Sequence, residues 1–359
     1  MDNPGKCKNN ETIGSDIPVG RSAPVEQPAR PAADAAHLPA EGAACPTPTQ
    51  TGTRKTSRVN RLLIKGCLAL TGLGWTSVLI VVLVVLGAFN PRPPKIKLVN
   101  DSDPPACTEI GTGWISPVDG MTLVCVPAGE FIMGSAEEGY FAYAEYFYMD
   151  DEIPEHVVYQ DAYWIDRTEV TNAQYARCVA AGACRAHPAR TTTTRQDYYG
   201  NSQYDNYPVI YVTWKDAGNY CQWAGRQLPT EAQWEKAARG TEAYIYPWGN
   251  SVPYFRRCNC NGNMGDTTEV GRYPAGASPY GALDMAGNVF EWVVDWYEFS
   301  YYSNQTSWSN PTGPDTGDAR VVRGGSWGWP SIRTAYRTAR YPGNIYPNTG
   351  FRCVLPVEP

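Results

Sequence analysis

Residues 66–89 form an uninterrupted uncharged run, GCLALTGLGWTSVLIVVLVVLGAF, and this run limits what the chain can fold into more than any other feature. An α-helix rises about 1.5 Å per residue, so about 20 apolar residues cross the hydrocarbon core of a bilayer. A cleaved signal peptide is the alternative, but this run starts only at Gly66 and is longer than a signal core. We therefore predict one transmembrane helix at 66–89.

The charges beside this run predict its orientation. The basic residues that precede it closely, with no acidic residue among them, are Arg54, Lys55, Arg58, Arg61 and Lys65. Those that follow it closely are Arg92, Lys95 and Lys97. Because Lys and Arg concentrate on the cytoplasmic side of membrane spans, we expect a single-pass protein of the cell membrane with its N-terminus in the cytoplasm. The C-terminal part is then extracytoplasmic.

Composition divides the rest of the chain into three parts. Residues 1–65 are rich in Pro, Ala, Gly and Thr and have few large apolar side chains, which predicts a disordered cytoplasmic tail. Residues 90–106 are typical of a stiff Pro-rich stalk. Residues 107–359 remain as one extracytoplasmic domain. The net charge of −6 argues against a nucleic-acid-binding protein, which needs a basic face for phosphate groups.

Cysteine usage supports an exported domain, because disulfides form in oxidising compartments. The cysteines beyond the predicted span are Cys107, Cys125, Cys178, Cys184, Cys221, Cys258, Cys260 and Cys353. Zinc binding is the alternative, but no CxxC pair or neighbouring histidine supports it. Cys178 and Cys184 flank a predicted helix end and could form a local bridge. Cys258 and Cys260 are too close for an ordinary bridge with each other, so each is expected to pair elsewhere or to stay free.

Three short helices are predicted by the same start and stop signals. Each begins with a capping box, in which a threonine is followed three residues later by Gln or Asp; these pairs are Thr171 with Gln174, Thr213 with Asp216 and Thr230 with Gln233. Each run then stops at a glycine: Gly182, Gly225 or Gly240. Short strand-like runs such as PVIYVTW alternate with Gly/Pro turns elsewhere. We predict an α+β domain with little regular secondary structure.

Eight motifs follow one another along this domain. They are MTLVCVPAGEFIMGS (121–135), EIPEHVV (152–158), DRTEVTNAQY (166–175), PVIYVTWKDAGNYCQWAGRQLPTEAQWEKAARG (208–240), YPWGN (246–250), YGALDMAGNVFEWVVDWY (280–297), RVVRGGSW (320–327) and TGFRCVLP (349–356). In this order they resemble the formylglycine-generating enzyme family, also called the sulfatase-modifying factor family, over about 115–356. The resemblance implies a divergent C-type-lectin-like fold.

The resemblance also implies a copper-dependent oxidase that uses O2 to convert a sulfatase cysteine to formylglycine. Its two thiols follow shortly after a GGS[YW] motif, and Cu(I) prefers such thiolate ligands over hydroxyls or rings. Here no cysteine occurs between Cys260 and Cys353, and Trp329 stands about where the first thiol would be. We therefore expect no copper. A remote thiol, Cys258 or Cys260, folding into the site is the alternative.

Two structural features are implied by the resemblance. Cys221 and Cys353 match a family disulfide. A family calcium site matches Asp284, Gly287, Val289 and Glu291, where carboxylates and backbone carbonyls would supply the oxygen ligands that Ca2+ requires. The alternative is that Asp284 caps a turn and Glu291 pairs with an arginine such as Arg323. A second family calcium site would begin near Asn259, but the loop that follows is shortened.

The segment 326–350 is dense in large rings and arginines, which dominate recognition surfaces. In lectin-like folds of this lineage the corresponding region lines the ligand surface. The predicted ligand-binding residues are Trp327, Trp329, Arg333, Tyr336, Arg337 and Tyr341. The alternative is that Arg333, Arg337 and Trp327 are core residues braced against acidic side chains. We favour Trp329 and Tyr341 for recognition over the arginines.

Two classes of function follow. The first is a membrane-anchored, non-catalytic binding or scaffold module for a peptide, glycan or protein ligand. The second is a formylglycine-generating oxidase with an atypical site. The missing thiols favour the first.

Overall fold

The computed structural model describes residues 92–136, 150–186, 191–251, 256–304 and 308–357. The predicted cytoplasmic tail and the predicted transmembrane helix lie outside these residues. Within the described ranges, no helix has the length and apolar character needed to cross a membrane. The described part mixes short helices with short strands, in agreement with the predicted α+β composition.

The described helices are short and few. Helix α1 spans Asn172–Ala180, α2 spans Trp214–Trp223, α3 spans Glu231–Arg239 and α4 spans Tyr301–Asn304. Short 3-10 helices occupy Asp150–Glu152, Ser202–Tyr204 and Pro274–Gly276. All three predicted capping boxes are present at α1, α2 and α3, with threonine hydroxyls accepting from backbone N–H groups of the first turn. The three predicted stop glycines all adopt positive φ, which ends each helix as expected.

A five-stranded sheet has the order β1-β2-β3-β6-β11. These strands span Lys97–Val99, Thr112–Ile115, Thr122–Val126, Tyr163–Asp166 and Val354–Pro356. The first of them corrects the predicted stalk at 90–106, because β1 pairs in parallel with β2 and belongs to the domain. Ile96, just before it, packs against a buried apolar cluster. The Pro-rich composition indicated an extended chain but not its pairing.

A four-stranded sheet carries the site described below. Its order is β10-β7-β8-β9, and these strands span Thr349–Gly350, Phe290–Trp296, Arg320–Arg323 and Arg337–Arg340. Directly paired residues point to the same face of a sheet. Glu291, Arg323 and Arg337 are paired in this way, and their face meets α3. The opposite face carries Phe290 and Arg340 and is only partly covered.

Helix α3 is buried along its whole length, although most of its side chains are polar. It packs against the four-stranded sheet and against the hairpin of β4 (Gly129–Met133) and β5 (His156–Gln160). The Lys236 ammonium donates to the carbonyls of Pro127 and Gly129 at 2.8 and 2.9 Å. Glu235 accepts from Arg323 and, at 2.7 Å, from Arg239. Polar groups on a buried helix are tolerated because each finds a partner of opposite character.

Four disulfides staple the domain. They join Cys107 with Cys125, Cys178 with Cys184, Cys221 with Cys353, and Cys258 with Cys260. The second and third are the bridges predicted from sequence. The fourth corrects the expectation that Cys258 and Cys260 pair elsewhere or stay free: one intervening residue leaves their Cα atoms 5.5 Å apart, an ordinary separation for a bridge.

Candidate functional site

The partly covered face of the four-stranded sheet forms a groove of about 640 Å³. We call it the aromatic groove. Its lining consists of Phe290, Ala319, Trp329, Thr338, Ala339, Arg340, Tyr341, Tyr346 and Asn348. Such a volume lies within the usual range for small-molecule and cofactor sites. Side chains of the sheet face form its floor, and two loops form its walls.

The first wall is Trp329. Its backbone N–H donates to the Ser326 carbonyl at 3.0 Å, and its indole N–H donates to the Tyr336 hydroxyl at 3.0 Å. The indole meets the ring of Phe290 edge-on, with centroids 5.8 Å apart. The turn before it requires glycine, because Gly325 has φ +72° and a Cβ there would lie 2.5 Å from the Ser331 carbonyl oxygen. Trp329 is held in place and yet remains 40% exposed.

The second wall is the loop between β9 and β10. Three backbone hydrogen bonds hold it: Trp214 donates to Pro342 at 3.1 Å, Tyr211 donates to Tyr346 at 3.0 Å, and Phe290 donates to Asn348 at 2.9 Å. Within this frame Tyr341 keeps 63% of its surface exposed. Because both walls are fixed by the fold, the groove exists before any ligand arrives.

Arg340 brings a charge to the floor of the groove. Its guanidinium lies over the ring of Phe290, 4.8 Å from the centroid, and over that of Tyr346, at 4.2 Å. Burial lowers the pKa of Arg340 to about 10, and the groups that oppose this effect are two tyrosines, with no carboxylate among them. No ion pair of Arg340 occurs within the described ranges. Arg340 was not among the predicted ligand-binding residues, because the sequence of an arginine-rich segment does not show which of its arginines form ion pairs.

The structure divides the six predicted ligand-binding residues into two groups. Trp329 and Tyr341 line the groove, and buried Tyr336 supports Trp329 through its hydroxyl. Arg333 and Arg337 are instead buried and pair with acidic side chains, as in the alternative interpretation that they are core residues. They form bidentate, buried pairs with Glu152 (2.6 and 2.7 Å) and Glu231 (2.7 and 2.8 Å) respectively.

Trp327 also lies apart from the groove lining. It is half-buried, and its backbone joins two loops by donating to Asn288 and accepting from Gly262. Its indole N–H is buried and meets no hydrogen-bond acceptor among the described residues. The geometry therefore gives Trp327 a bracing position, and no groove contact.

Every cysteine of the described domain is in a disulfide. Cys258 and Cys260 are also buried, beside Ile332 of the segment that follows the GGSW motif. The remote thiols considered as substitutes for the missing pair are thus bonded to each other. In this oxidation state the described chain offers no thiolate near Trp329.

The predicted calcium ligands are buried together, but the Glu291 carboxylate already accepts hydrogen bonds from other side chains. Glu291 accepts from Arg352 at 2.6 Å through each oxygen and from the Trp234 indole at 2.7 Å. Asp284 accepts from the backbone N–H of Gly271. Among the described residues, no group of three or more His, Cys, Asp or Glu side chains is arranged to hold a metal ion. Glu291 pairs with an arginine, although with Arg352 rather than Arg323.

Glu169, within the motif at 166–175, also belongs to this region and was not predicted from the sequence. Its side chain is fully buried, and neither carboxyl oxygen meets a hydrogen-bond donor in good geometry. Burial, and then the negative charges of Asp284 and Glu291, raise its pKa well above the usual value. Its carboxyl group lies within hydrogen-bonding reach of Asp284, whose own pKa is raised to about 6, chiefly by burial. A proton or a cation must therefore balance this pair.

Near Asn259, where the second calcium site was expected, the guanidinium of Arg195 supplies a positive charge. Asn259 donates to the carbonyl of Asp266 at 2.9 Å, and its own side-chain oxygen is buried without a partner. The Asp266 carboxylate faces the guanidinium of Arg195 at 3.1 Å and accepts from Thr194 at 2.7 Å. Hydrogen bonds, from Thr192 and Thr194 above all, and the arginine charge outweigh burial and lower the pKa of Asp266.

Comparisons with known proteins agree with this architecture. The chain is 35% identical to the formylglycine-generating enzyme of Streptomyces coelicolor over 286 residues, covering 64% of this chain and 88% of that protein. It is 34% identical to the serine/threonine-protein kinase pkn1 of Chlamydia caviae over 250 residues, covering 66% of this chain but only 38% of the kinase's length. The solved structure of PvdO from Pseudomonas aeruginosa superposes with a TM-score of 0.57 at 26% identity, covering 70% of this chain and 100% of that one.

These relatives carry different activities, so similarity identifies the family and not the reaction. The model of the sulfatase-modifying factor enzyme 1-like domain matches residues 116–357, which is more than half of the chain. The chain therefore belongs to the sulfatase-modifying factor family.

Proposed function

We propose that this domain is a non-catalytic binding module whose ligand site is the aromatic groove. The observation that carries the proposal is the position of Trp329: an indole stands where the family resemblance expects the first thiol, and it forms a half-exposed wall of a preformed groove. Disulfide pairing of all eight described cysteines supports the same proposal, since it leaves no thiolate for a soft metal there.

The physical character of the groove suits recognition. Rings that are rigid and already packed give much contact area at little entropic cost. The buried ion pairs beneath the sheet hold β8 and β9 against α3, so the floor does not need to rearrange. We further propose that the uncharged run at 66–89 anchors the chain in the membrane and presents the groove outside the cell.

The groove is tested by the variant Trp329→Ala in the detergent-solubilised full chain. Because the indole is a wall and not core, we expect loss of most copurifying ligand with little change in melting temperature. Phe299→Ala is the matched control, since Phe299 is 58% exposed and lies outside the groove. A copurification profile that is the same for wild type and Trp329→Ala would contradict the proposal.

A formylglycine-generating oxidase with an atypical site is the second candidate. The observation that favours it is 35% identity to an enzyme of that name over most of that enzyme's length. O2 consumption measured with copper and a peptide containing a CxPxR motif distinguishes the two functions. We expect none above background. Turnover that disappears when Cys258 and Cys260 are replaced by serine would establish the enzyme.

We also propose a structural calcium ion near Asp284. Glu169 is the better second carboxylate for it, since Glu291 is held by Arg352. When bound, the ion would balance two buried negative charges that otherwise require protons.

A further inference from the structure

We infer that the aromatic groove selects an acidic glycan, one whose sugar ring bears a carboxylate. This inference rests on the proposed binding function and names the ligand class of the same site. The feature that carries it is Arg340, a cation with no anionic partner among the described residues, at the floor of a groove walled by exposed rings.

Arg340 differs from the two arginines on the other face of this sheet. Arg323 and Arg337 are fully buried, and each is bonded to a glutamate of α3. Arg340 is partly buried and has only the faces of Phe290 and Tyr346 as described contacts. Its charge has lost much of its water without gaining a carboxylate. A ligand that supplies the carboxylate therefore gains more from Arg340 than it would from a solvated or paired arginine.

The orientation of Arg340 leaves its donors available. Two aromatic rings lie beside the guanidinium, at 4.8 and 4.2 Å from its carbon, and the guanidinium itself forms no hydrogen bond with any residue of the described ranges. The N–H groups of a guanidinium lie in its plane, where two of them match the spacing of carboxylate oxygens. The two rings restrict the movement of the group, so less additional ordering is needed when an anion binds.

The rest of the lining suits a sugar ring. The exposed faces of Trp329 and Tyr341 can stack on the C–H face of a pyranose, and Thr338, Tyr346 and Asn348 offer hydroxyl and amide groups for its hydroxyls. These contacts come from side chains of the groove floor and of its two loop walls. A peptide would instead be expected to add its backbone to the free edge of β9. The groove geometry therefore favours the glycan.

The test measures binding of two acidic oligosaccharides, an oligogalacturonate and a glucuronate-containing hyaluronan hexasaccharide, to the solubilised full chain by calorimetry. The matched probe for the first is its methyl ester, which keeps the rings and removes the charge. We expect at least one acidic probe to bind, and the corresponding ester or Arg340→Gln to weaken binding at least tenfold. Arg340→Lys keeps the charge but not the fork and should fall in between. Lys215→Gln, an exposed charge loss on α2, should change nothing.

Each contrary outcome has a distinct meaning. Equal affinity for the acid and its ester, or for wild type and a folded Arg340→Gln, overturns the role of the carboxylate. Tighter binding of a peptide with a free C-terminal carboxylate than of its amide, with neither sugar bound, replaces the glycan by a peptide. No binding of any acidic probe also overturns the inference. The proposed function itself is then judged by the copurification profile of Trp329→Ala, which does not depend on any of these probes.

Discussion

Arginines in the core of this domain and the arginine at its groove differ in whether a carboxylate pairs with them. Arg352 is buried, and its guanidinium donates to both carboxylate oxygens of Glu291 and to the backbone carbonyls of Asp166 and Leu283. Removing one partner of such a pair leaves an uncompensated charge, which typically costs about 3–5 kcal/mol. Arg340 has no such partner among the described residues, which is why we propose that its charge serves a ligand.

Asp295 predicts how stability depends on pH. It is buried, and its described bond is from the backbone N–H of Glu231 at 2.7 Å. Burial, and then the charge of Glu231, raise its pKa to about 8 from 3.8. The folded state therefore retains a proton that the unfolded chain releases, so this group's stabilisation is complete below about pH 4 and is lost as pH rises to about 8.

Urea denaturation between pH 5 and 9 measures this effect. Relative to Asp295→Asn, the wild-type free energy of unfolding should fall by up to about 1.4 kcal/mol per pH unit until pH 8 and then run parallel. The asparagine side chain can still accept the hydrogen bond from the Glu231 backbone N–H, so the comparison reports only the effect of the proton on stability. The exposed residue Asp318 gives the control Asp318→Asn, which should follow the wild type. Parallel curves for wild type and Asp295→Asn throughout would contradict the prediction.

The proposed calcium ion is also a matter of two side chains. Because it would bind only the folded state, millimolar Ca2+ should raise the melting temperature relative to a chelator at pH 7. Glu169→Gln removes the carboxylate that has no hydrogen-bond donor among the described residues and should flatten this dependence, whereas Glu130→Gln, on the exposed side of β4, should not. A melting temperature indifferent to chelator in the wild type would mean that Glu169 and Asp284 hold protons instead.

At the scale of elements, local signals were sufficient for α1, α2 and α3 and insufficient for α4 and for strand β1. The capping boxes and stop glycines act within a few residues, so their sequence determines where α1, α2 and α3 begin and end. Strand β1 depends on a partner distant in the chain, and nothing within KLV indicates that pairing. The Cys258–Cys260 bridge was not predicted, because it depends on the local backbone conformation, which places the two Cα atoms 5.5 Å apart.

The two predicted disulfides differ in what they connect. Cys221 of α2 and Cys353 beside β11 are 132 residues apart, whereas Cys178 and Cys184 are 6 apart. In the chain-entropy model, closing these loops stabilises the folded state by about 5 and about 2 kcal/mol respectively. Denaturation of the two double alanine variants should therefore show the larger loss for Cys221→Ala/Cys353→Ala. Equal losses would mean that native packing, and not loop closure, sets the effect.

For the whole molecule, the candidate site was predicted in part. The composition of 326–350 indicated a recognition surface, which stays a prediction, and Trp329 and Tyr341 of this segment line the aromatic groove. The floor was not predicted, because Phe290 lies in a different motif and reaches Arg340 only through the order of strands in the sheet. Whether a given arginine is paired also depends on that order, which explains why Arg333 and Arg337 could not be separated from Arg340 by sequence.

The anchored arrangement is tested on the full chain in cells. We expect it to remain in the membrane pellet after alkaline carbonate extraction, because an uncharged run of this length partitions strongly into hydrocarbon. Replacing Val81 and Val84 with arginine should release it, whereas replacing them with leucine should not. External protease should digest the domain of intact cells. Full extraction of the wild type would contradict the predicted span, and a protected domain would contradict its orientation.

The loop between β9 and β10 is pinned at three backbone positions, and its outermost side chains take no part in that pinning. Tyr341 and Ile345, like Trp329 opposite, expose 40% or more of their surface. If the groove binds a ligand as proposed, we expect substitutions of Trp329 or Tyr341 to change its ligand preference while the framework stays intact. Related chains with the same framework can therefore differ in ligand specificity at these few positions without losing the ability to fold.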